Sequence, residues 1–142
     1  SKKNEHYLTL IKGLSKEDIL PGVVSFLDLL DEHSCLKGVG SSSKNAPVIL
    51  ERIGLKHRFG VIVDGNQVSK TKPDPEVFLK GSKELGVAPA HCLVVEDAPS
   101  GVAAAKSAGM RVLGIGAADN LVDADKTVNT LEGISWEDVL SI

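Results

Sequence analysis

The sequence predicts an α/β fold, a doubly wound parallel sheet. Three observations carry that expectation. From Ser34 onward, short apolar and β-branched runs alternate with stretches of helical periodicity. Each apolar run passes directly into a polar loop, and neither an internal repeat nor a low-complexity segment breaks the alternation. Strands separated by helices of this length cannot be joined by hairpins, so the pattern reads as βαβ units.

The elements follow in order. Ser15 stands ahead of Glu17, Asp18 and Ile19, which puts a cap and first-turn acids before the apolar residues of a first helical region that Pro21 and Gly22 interrupt. A helix is predicted from Val23 to about Asp31, with Val24, Phe26, Leu27 and Leu30 as its apolar stripe. The first strand spans Cys35 to Gly40, and a helix through Val48, Ile49, Leu50 and Ile53 follows. Gly60 to Val63 is the second strand; after a long polar loop comes a helix behind Pro75, with Gly86 as its C-cap. Leu93 to Val95 is a third strand running straight into Glu96 and Asp97. Pro99 opens an alanine-rich helix that ends at Gly109, in line with proline at helix starts and glycine at helix ends. Val112 to Ile115 is a fourth strand, Val128 marks an edge strand, and a closing helix lies near Trp136.

The 142 residues suffice for one ordinary core and not for two full domains. With 16 Lys and Arg against 19 Asp and Glu, the net charge of -3 offers no electrostatic ground for nucleic acid or an anionic membrane as partner. Cys35 and Cys92 each sit in an apolar run without CxxC spacing, which reads as two reduced core thiols of a cytoplasmic protein. No apolar run is long enough to span a bilayer. The four histidines, His6, His33, His57 and His91, lack ligand spacing and are read as surface or structural.

In an open parallel sheet, ligands bind beyond the carboxyl ends of the strands. The loops there are Ser41 to Asn45, Asp64 to Lys72, Glu96 to Ser100, and the stretch after Gly116. In the first, hydroxyls, backbone N–H groups and a lysine gather at a helix start, which suits phosphate and equally suits a serine cap with a solvated lysine. Lys72 stands before Pro73 in an extended loop, placed either to neutralise a phosphoryl group or simply at the surface. Glu96 and Asp97 put two like charges side by side after an apolar strand. A hard cation such as Mg²⁺ resolves that conflict, and capping of the helix at Pro99 is the plainer alternative. Asp64 and Lys70 stand at the rim and are read as shaping their loop.

A hydroxyl residue, a lysine and an acidic pair after successive strands resemble the haloacid dehalogenase superfamily, whose three corresponding motifs match Ser41, Lys72 and Glu96 with Asp97. The segment VVEDAPSGVAAAKSAGM carries that resemblance most specifically. KKNEHY with LPG, and SSSKN with ILERIGL, are similar to the β-phosphoglucomutase branch. The resemblance implies a Rossmann-like core over residues 15–142, with residues 1–14 a remnant of a helical cap and its linker. It implies Mg²⁺-dependent phosphoryl transfer on a small sugar phosphate through an aspartyl-phosphate, β-glucose 1-phosphate being converted to glucose 6-phosphate. Ser41 and Lys72 would hold the transferred group; Ser43, Lys44 and Asn45 the other phosphate; Glu96 and Asp97 the metal. Lys3 and Asn4, from the cap, would meet the sugar. A sugar-phosphate phosphatase of the same family, and a phosphate-binding scaffold without turnover, are the alternatives.

The sequence departs from the superfamily at its first motif, an aspartate nucleophile two residues before a second aspartate on the first core strand. Asp123 and Asp125 have that spacing, yet they follow the acidic pair in a polar loop and are not taken for it. The expectation is therefore a core that lacks its first strand and a chain that is inactive as it stands. A response-regulator receiver would carry its acidic pair near the first strand, ahead of the serine and lysine; here the pair comes after both.

Overall fold

The computed structural model describes residues 8–11, 22–41 and 43–142, the first segment by its backbone. In chain order the elements are β1 (Leu8–Ile11), α1 (Val23–Glu32), β2 (Leu36–Gly40), α2 (Ala46–Arg52), β3 (Val61–Val63) and α3 (Glu76–Leu85). They continue with β4 (Cys92–Glu96), α4 (Pro99–Ser107), β5 (Arg111–Ile115), β6 (Lys126–Val128) and α5 (Trp136–Leu140). The strands form one sheet in the order β3-β2-β1-β4-β5-β6, and every neighbouring pair is parallel.

Both faces of this sheet are covered, which is why β4 reads as an unbroken apolar run. Its side chains alternate between two cores: Leu93 and Val95 join Phe26, Leu27 and Leu30 of α1 and Leu50 of α2. Cys92 and Val94 join Val77 and Phe78 of α3 and Val102, Ala104 and Ala105 of α4 on the other side. The period of two along a strand thus distributes one segment between two helical layers, as a doubly wound fold requires. With few aromatic residues available, aliphatic side chains and alanine fill most of this space.

The elements match the pattern expected from periodicity closely. Gly86 closes α3 with φ +74°, the left-handed conformation for which glycine carries no Cβ penalty, and Pro99 opens α4. Val24 departs from its expected place on the α1 stripe and is 50% exposed. Cys35 and Cys92 are both buried. His33 stacks on Trp136 with ring centroids 3.8 Å apart, which ties the end of α1 to α5 and gives that histidine a packing role. Among the described residues, no helix is long and apolar enough to cross a membrane.

One part of the chain differs from the expectation. Residues 1–14 read as a cap remnant, and the centre of the sheet was expected to lack its strand. Leu8–Ile11 instead forms β1 and fills that centre, pairing with β2 on one side and with β4 on the other. A four-residue run such as LTLI cannot be assigned to helix or strand from periodicity alone, so the two free ladders beside it decide. This strand does not supply the missing motif, because Lys12, Gly13 and Leu14 follow it where an aspartate pair would have to stand. The helical region read at Ser15 to Ile19, and Lys3 with Asn4, lie outside the described residues.

Candidate active site

The carboxyl ends of β2 and β4 flank β1, and the chain progresses outward from β1 in opposite directions on its two sides. Loops diverge at such a point and leave a crevice. Ser41 is the first residue beyond β2. It is buried at 7% exposure, anchored by its N–H to the Val63 carbonyl at 2.9 Å, and its Oγ accepts the Ser43 N–H at 3.1 Å. Ser43 repeats the arrangement, its Oγ accepting the Asn45 N–H at 3.1 Å. The hydroxyls of Ser41 and Ser43 thus each accept the N–H two residues further on, ahead of α2. Asn45 occupies the N-cap position of α2 without capping through its side chain, and Ser43, Lys44 and Asn45 are exposed.

The loop after β3 holds this turn from the side. Gly65 donates its N–H to the Ser43 carbonyl at 3.0 Å, and the Asn66 side-chain amide donates to the Lys44 carbonyl at 3.2 Å. Asp64 shapes that loop, accepting the Asn66 N–H at 2.8 Å. Lys70 is fastened by its backbone, its N–H donating to the Glu76 carboxylate at 2.8 Å.

Lys72 reaches inward from the same loop. Its Nζ lies 3.0 Å from Glu96 Oε2 and 3.3 Å from the Gly40 carbonyl, and 4.9 Å above the centroid of the Phe78 ring. The lysine side chain is 5% exposed and that of Glu96 is 0% exposed, so both charges have left water and each needs the other. The second oxygen of Glu96 accepts the N–H groups of Asp97 (3.1 Å) and Ala98 (3.2 Å). Asp97, next in sequence, is exposed.

This arrangement revises the reason for expecting a metal. The repulsion inferred between adjacent carboxylates is relieved within the protein, because Glu96 turns into the core against Lys72 while Asp97 remains at the surface. Asp97 still suits Mg²⁺, which takes one or two carboxylates and completes its shell with water and phosphate oxygens, while both oxygens of Glu96 are engaged within the protein. Among the described residues, no group of three or more acidic, histidine or cysteine side chains gathers to hold a metal.

Of the residues singled out from sequence, Ser41, Lys72 and Glu96 converge with Asp97 beside them, while Ser43, Lys44 and Asn45 form the adjoining exposed turn. Lys3 lies outside the described residues. Asp125, half of the only Asp-x-Asp pair, is occupied structurally: its carboxylate accepts the Val112 N–H at 2.7 Å and pairs with Lys106 at 3.0 Å. Sequence reasoning did not find Phe78 under the lysine or Asn66 beside the turn. Phe78 looked like one more apolar residue of α3, and only its position in space gives it a second part. A groove of about 510 Å³ is lined by Ser69, Lys70, Asp74, Lys80 and Lys83, and none of the converging groups lines it.

A doubly wound parallel sheet with a serine, a buried lysine and an acidic pair at its strand ends defines a class of α/β cores that gather their polar groups at the carboxyl edge of the sheet. The chain belongs to the haloacid dehalogenase-like hydrolase family, which matches residues 2–115. It is 40% identical over 136 residues to the β-phosphoglucomutase of Bacillus subtilis strain 168, an alignment covering 96% of this chain and 60% of that protein. The crystal structure of β-phosphoglucomutase from Clostridium difficile superposes with a TM-score of 0.83 at 34% identity, covering 90% of this chain and 57% of the other. Hexitol phosphatase A of Escherichia coli K12 is 34% identical over 125 residues, covering 82% of this chain and 56% of that protein. The chain therefore spans a little over half the length of these relatives.

Proposed function

We propose that this chain carries the phosphate-handling part of a sugar-phosphate phosphoryl-transfer enzyme of the β-phosphoglucomutase type. The observation that carries the reading is the buried Lys72–Glu96 pair lying beside the Gly40 carbonyl and hence next to Ser41. A lysine whose place is fixed by a buried carboxylate is preorganised to meet the negative charge of a phosphoryl group, with no reorganisation when that group arrives.

In this reading Ser41 and Lys72 hold the transferred phosphoryl group. Ser43, Lys44 and Asn45 hold the phosphate at the far end of the sugar, and Lys3 contacts the sugar. Asp97 would hold Mg²⁺, with Glu96 positioning the shell behind it, and the ion when bound supplies positive charge against the phosphoryl oxygens. Glu96 also keeps the lysine ammonium in position, while the N–H groups of Asp97 and Ala98 keep Glu96 itself from swinging away. The aspartate that would take the phosphoryl group in this chemistry is not found at the end of β1.

Likeness to a hexitol phosphatase favours a second reading, in which water completes the reaction and one phosphate site suffices. Lys44 separates the two. A charge-assisted hydrogen bond contributes roughly 1.5–3 kcal/mol, so in an enzyme carrying this core with its aspartate nucleophile, Lys44→Ala should cost about 10- to 150-fold in mutase efficiency. Conversion of β-glucose 1-phosphate to glucose 6-phosphate is measured beside hydrolysis of a small phosphomonoester. If both fall equally, or the parent enzyme only hydrolyses, the mutase reading fails and the phosphatase reading takes its place.

A further inference from the structure

Gly101 sits in the first turn of α4, where its φ lies outside the left-handed region, so the backbone does not demand glycine there. Glycine in a helix is otherwise disfavoured. Space supplies the reason for it. A Cβ at this position would stand 1.9 Å from Glu96 Cδ, 2.2 Å from Oε2 and 2.4 Å from Oε1. The carboxylate has nowhere to retreat, because Oε2 meets Lys72 at 3.0 Å and Oε1 accepts two backbone N–H groups. Gly22 shows the other kind of crowding, at φ +85° and against backbone atoms of Leu131 and Glu132. At Gly101, all three nearest atoms belong to a single side chain, the one that anchors the lysine.

We infer that Gly101 is a positioning residue: the absence of its side chain lets α4 close onto the Glu96 carboxylate and so fixes the Lys72 ammonium at the strand ends. Its relevance to catalysis rests on the reading that Lys72 meets a phosphoryl group, but the placement can be tested without substrate. Even one added methyl group must expel the carboxylate or lift the start of α4. Either movement parts Glu96 from Lys72 and opens the lysine to solvent.

The test is a double-mutant cycle of Gly101→Ala and Glu96→Asp, with Lys72 followed by its rate of acylation with an N-hydroxysuccinimide ester, read by peptide mass spectrometry against exposed Lys70. In the parent chain Lys72 should label far more slowly than Lys70. Gly101→Ala should bring the two rates together, and adding Glu96→Asp, which withdraws the carboxylate by one methylene, should restore much of the protection. Urea midpoints provide the second readout, and serve if Gly101→Ala alone does not fold: the alanine should then be tolerated in the Glu96→Asp background. Equal cost of the alanine in both backgrounds, or a Lys72 rate unchanged by it, would overturn the inference. A purely structural glycine would raise labelling of all lysines together, with no rescue by aspartate. Slowing of Lys72 labelling by inorganic phosphate in the parent chain tests the phosphoryl reading separately, since that outcome is independent of the cycle.

Discussion

Replacing Lys72 with methionine removes the charge of a pair that the protein has taken out of water. Methionine keeps an unbranched apolar stem of similar reach over Phe78, so the change isolates the ammonium. The lysine and glutamate side chains are 5% and 0% exposed and 3.0 Å apart, which puts them among buried pairs. Breaking such a pair from one side costs about 3–5 kcal/mol, because the remaining charge stays desolvated without a partner. Glu96 keeps two backbone N–H donors on its other oxygen, so the lower end, about 3 kcal/mol, applies. With a urea dependence of about 1–3 kcal/mol per molar, the midpoint should fall by roughly 1–3 M with an unchanged slope. Adding Glu96→Gln to Lys72→Met should recover most of the loss, since a neutral amide no longer needs a cation. The assay is urea unfolding of the parent, both single variants and the double variant. If Lys72→Met costs less than about 1 kcal/mol, the value for an exposed pair, the lysine is solvated and its preorganisation is refuted.

Other consequences can be checked more simply. Asn66→Ala removes one hydrogen bond to the Lys44 carbonyl, so in a complete enzyme KM for the doubly phosphorylated ligand should rise roughly 2- to 10-fold while hydrolysis of a small phosphomonoester holds steady; equal loss of both would exclude a role in the distal turn. Burial pushes the Cys92 thiol up to about 11, which leaves roughly one molecule in a thousand as thiolate at pH 8, so native chain should resist iodoacetamide there and label in denaturant. Labelling of native Cys92 at the rate of a free cysteine would contradict its burial. Hydrogen bonds from the Ser135 backbone and hydroxyl, and then the charge of Lys126, hold the Asp138 carboxyl below the usual carboxylate range. The stability it contributes is therefore fully present above the ordinary carboxylate pKa and lost as pH falls through the lowered value. Asp138→Asn should flatten that acid limb of the stability profile, and a parallel profile would show that the capping box contributes nothing through charge.

Most of the sheet was legible because local and long-range preferences agree. Cys92 to Val95 is apolar at every position since both faces of its strand are covered, and Gly86, Pro99 and Gly109 punctuate helices for steric reasons that hold in any context. Where the preferences are weak, the surroundings decided. Leu8 to Ile11 is too short to show a period, and the vacancy between two ladders made it a strand. Val24 has the right spacing for the α1 stripe, but only contacts with other elements fix how wide that stripe is.

The candidate site divides in the same way. Serine, lysine and acidic pair could be found from sequence because each stands just beyond an apolar run, where a parallel sheet exposes its strand ends. Their relations could not. Glu96 and Asp97 are adjacent in sequence and were read together as ligands of one ion, whereas the partner that neutralises Glu96 lies 24 residues away along the chain. Adjacent residues leaving a strand project to opposite sides, so sequence adjacency at that place separates two carboxylates more often than it joins them. The consequence is a division of labour: Glu96, locked between Lys72 and the start of α4, sets where positive charge stands, and Asp97 is the carboxylate left accessible from outside. Gly101 belongs with Glu96 in that division, for a carboxylate can be buried beside a helix only where the helix leaves room for it.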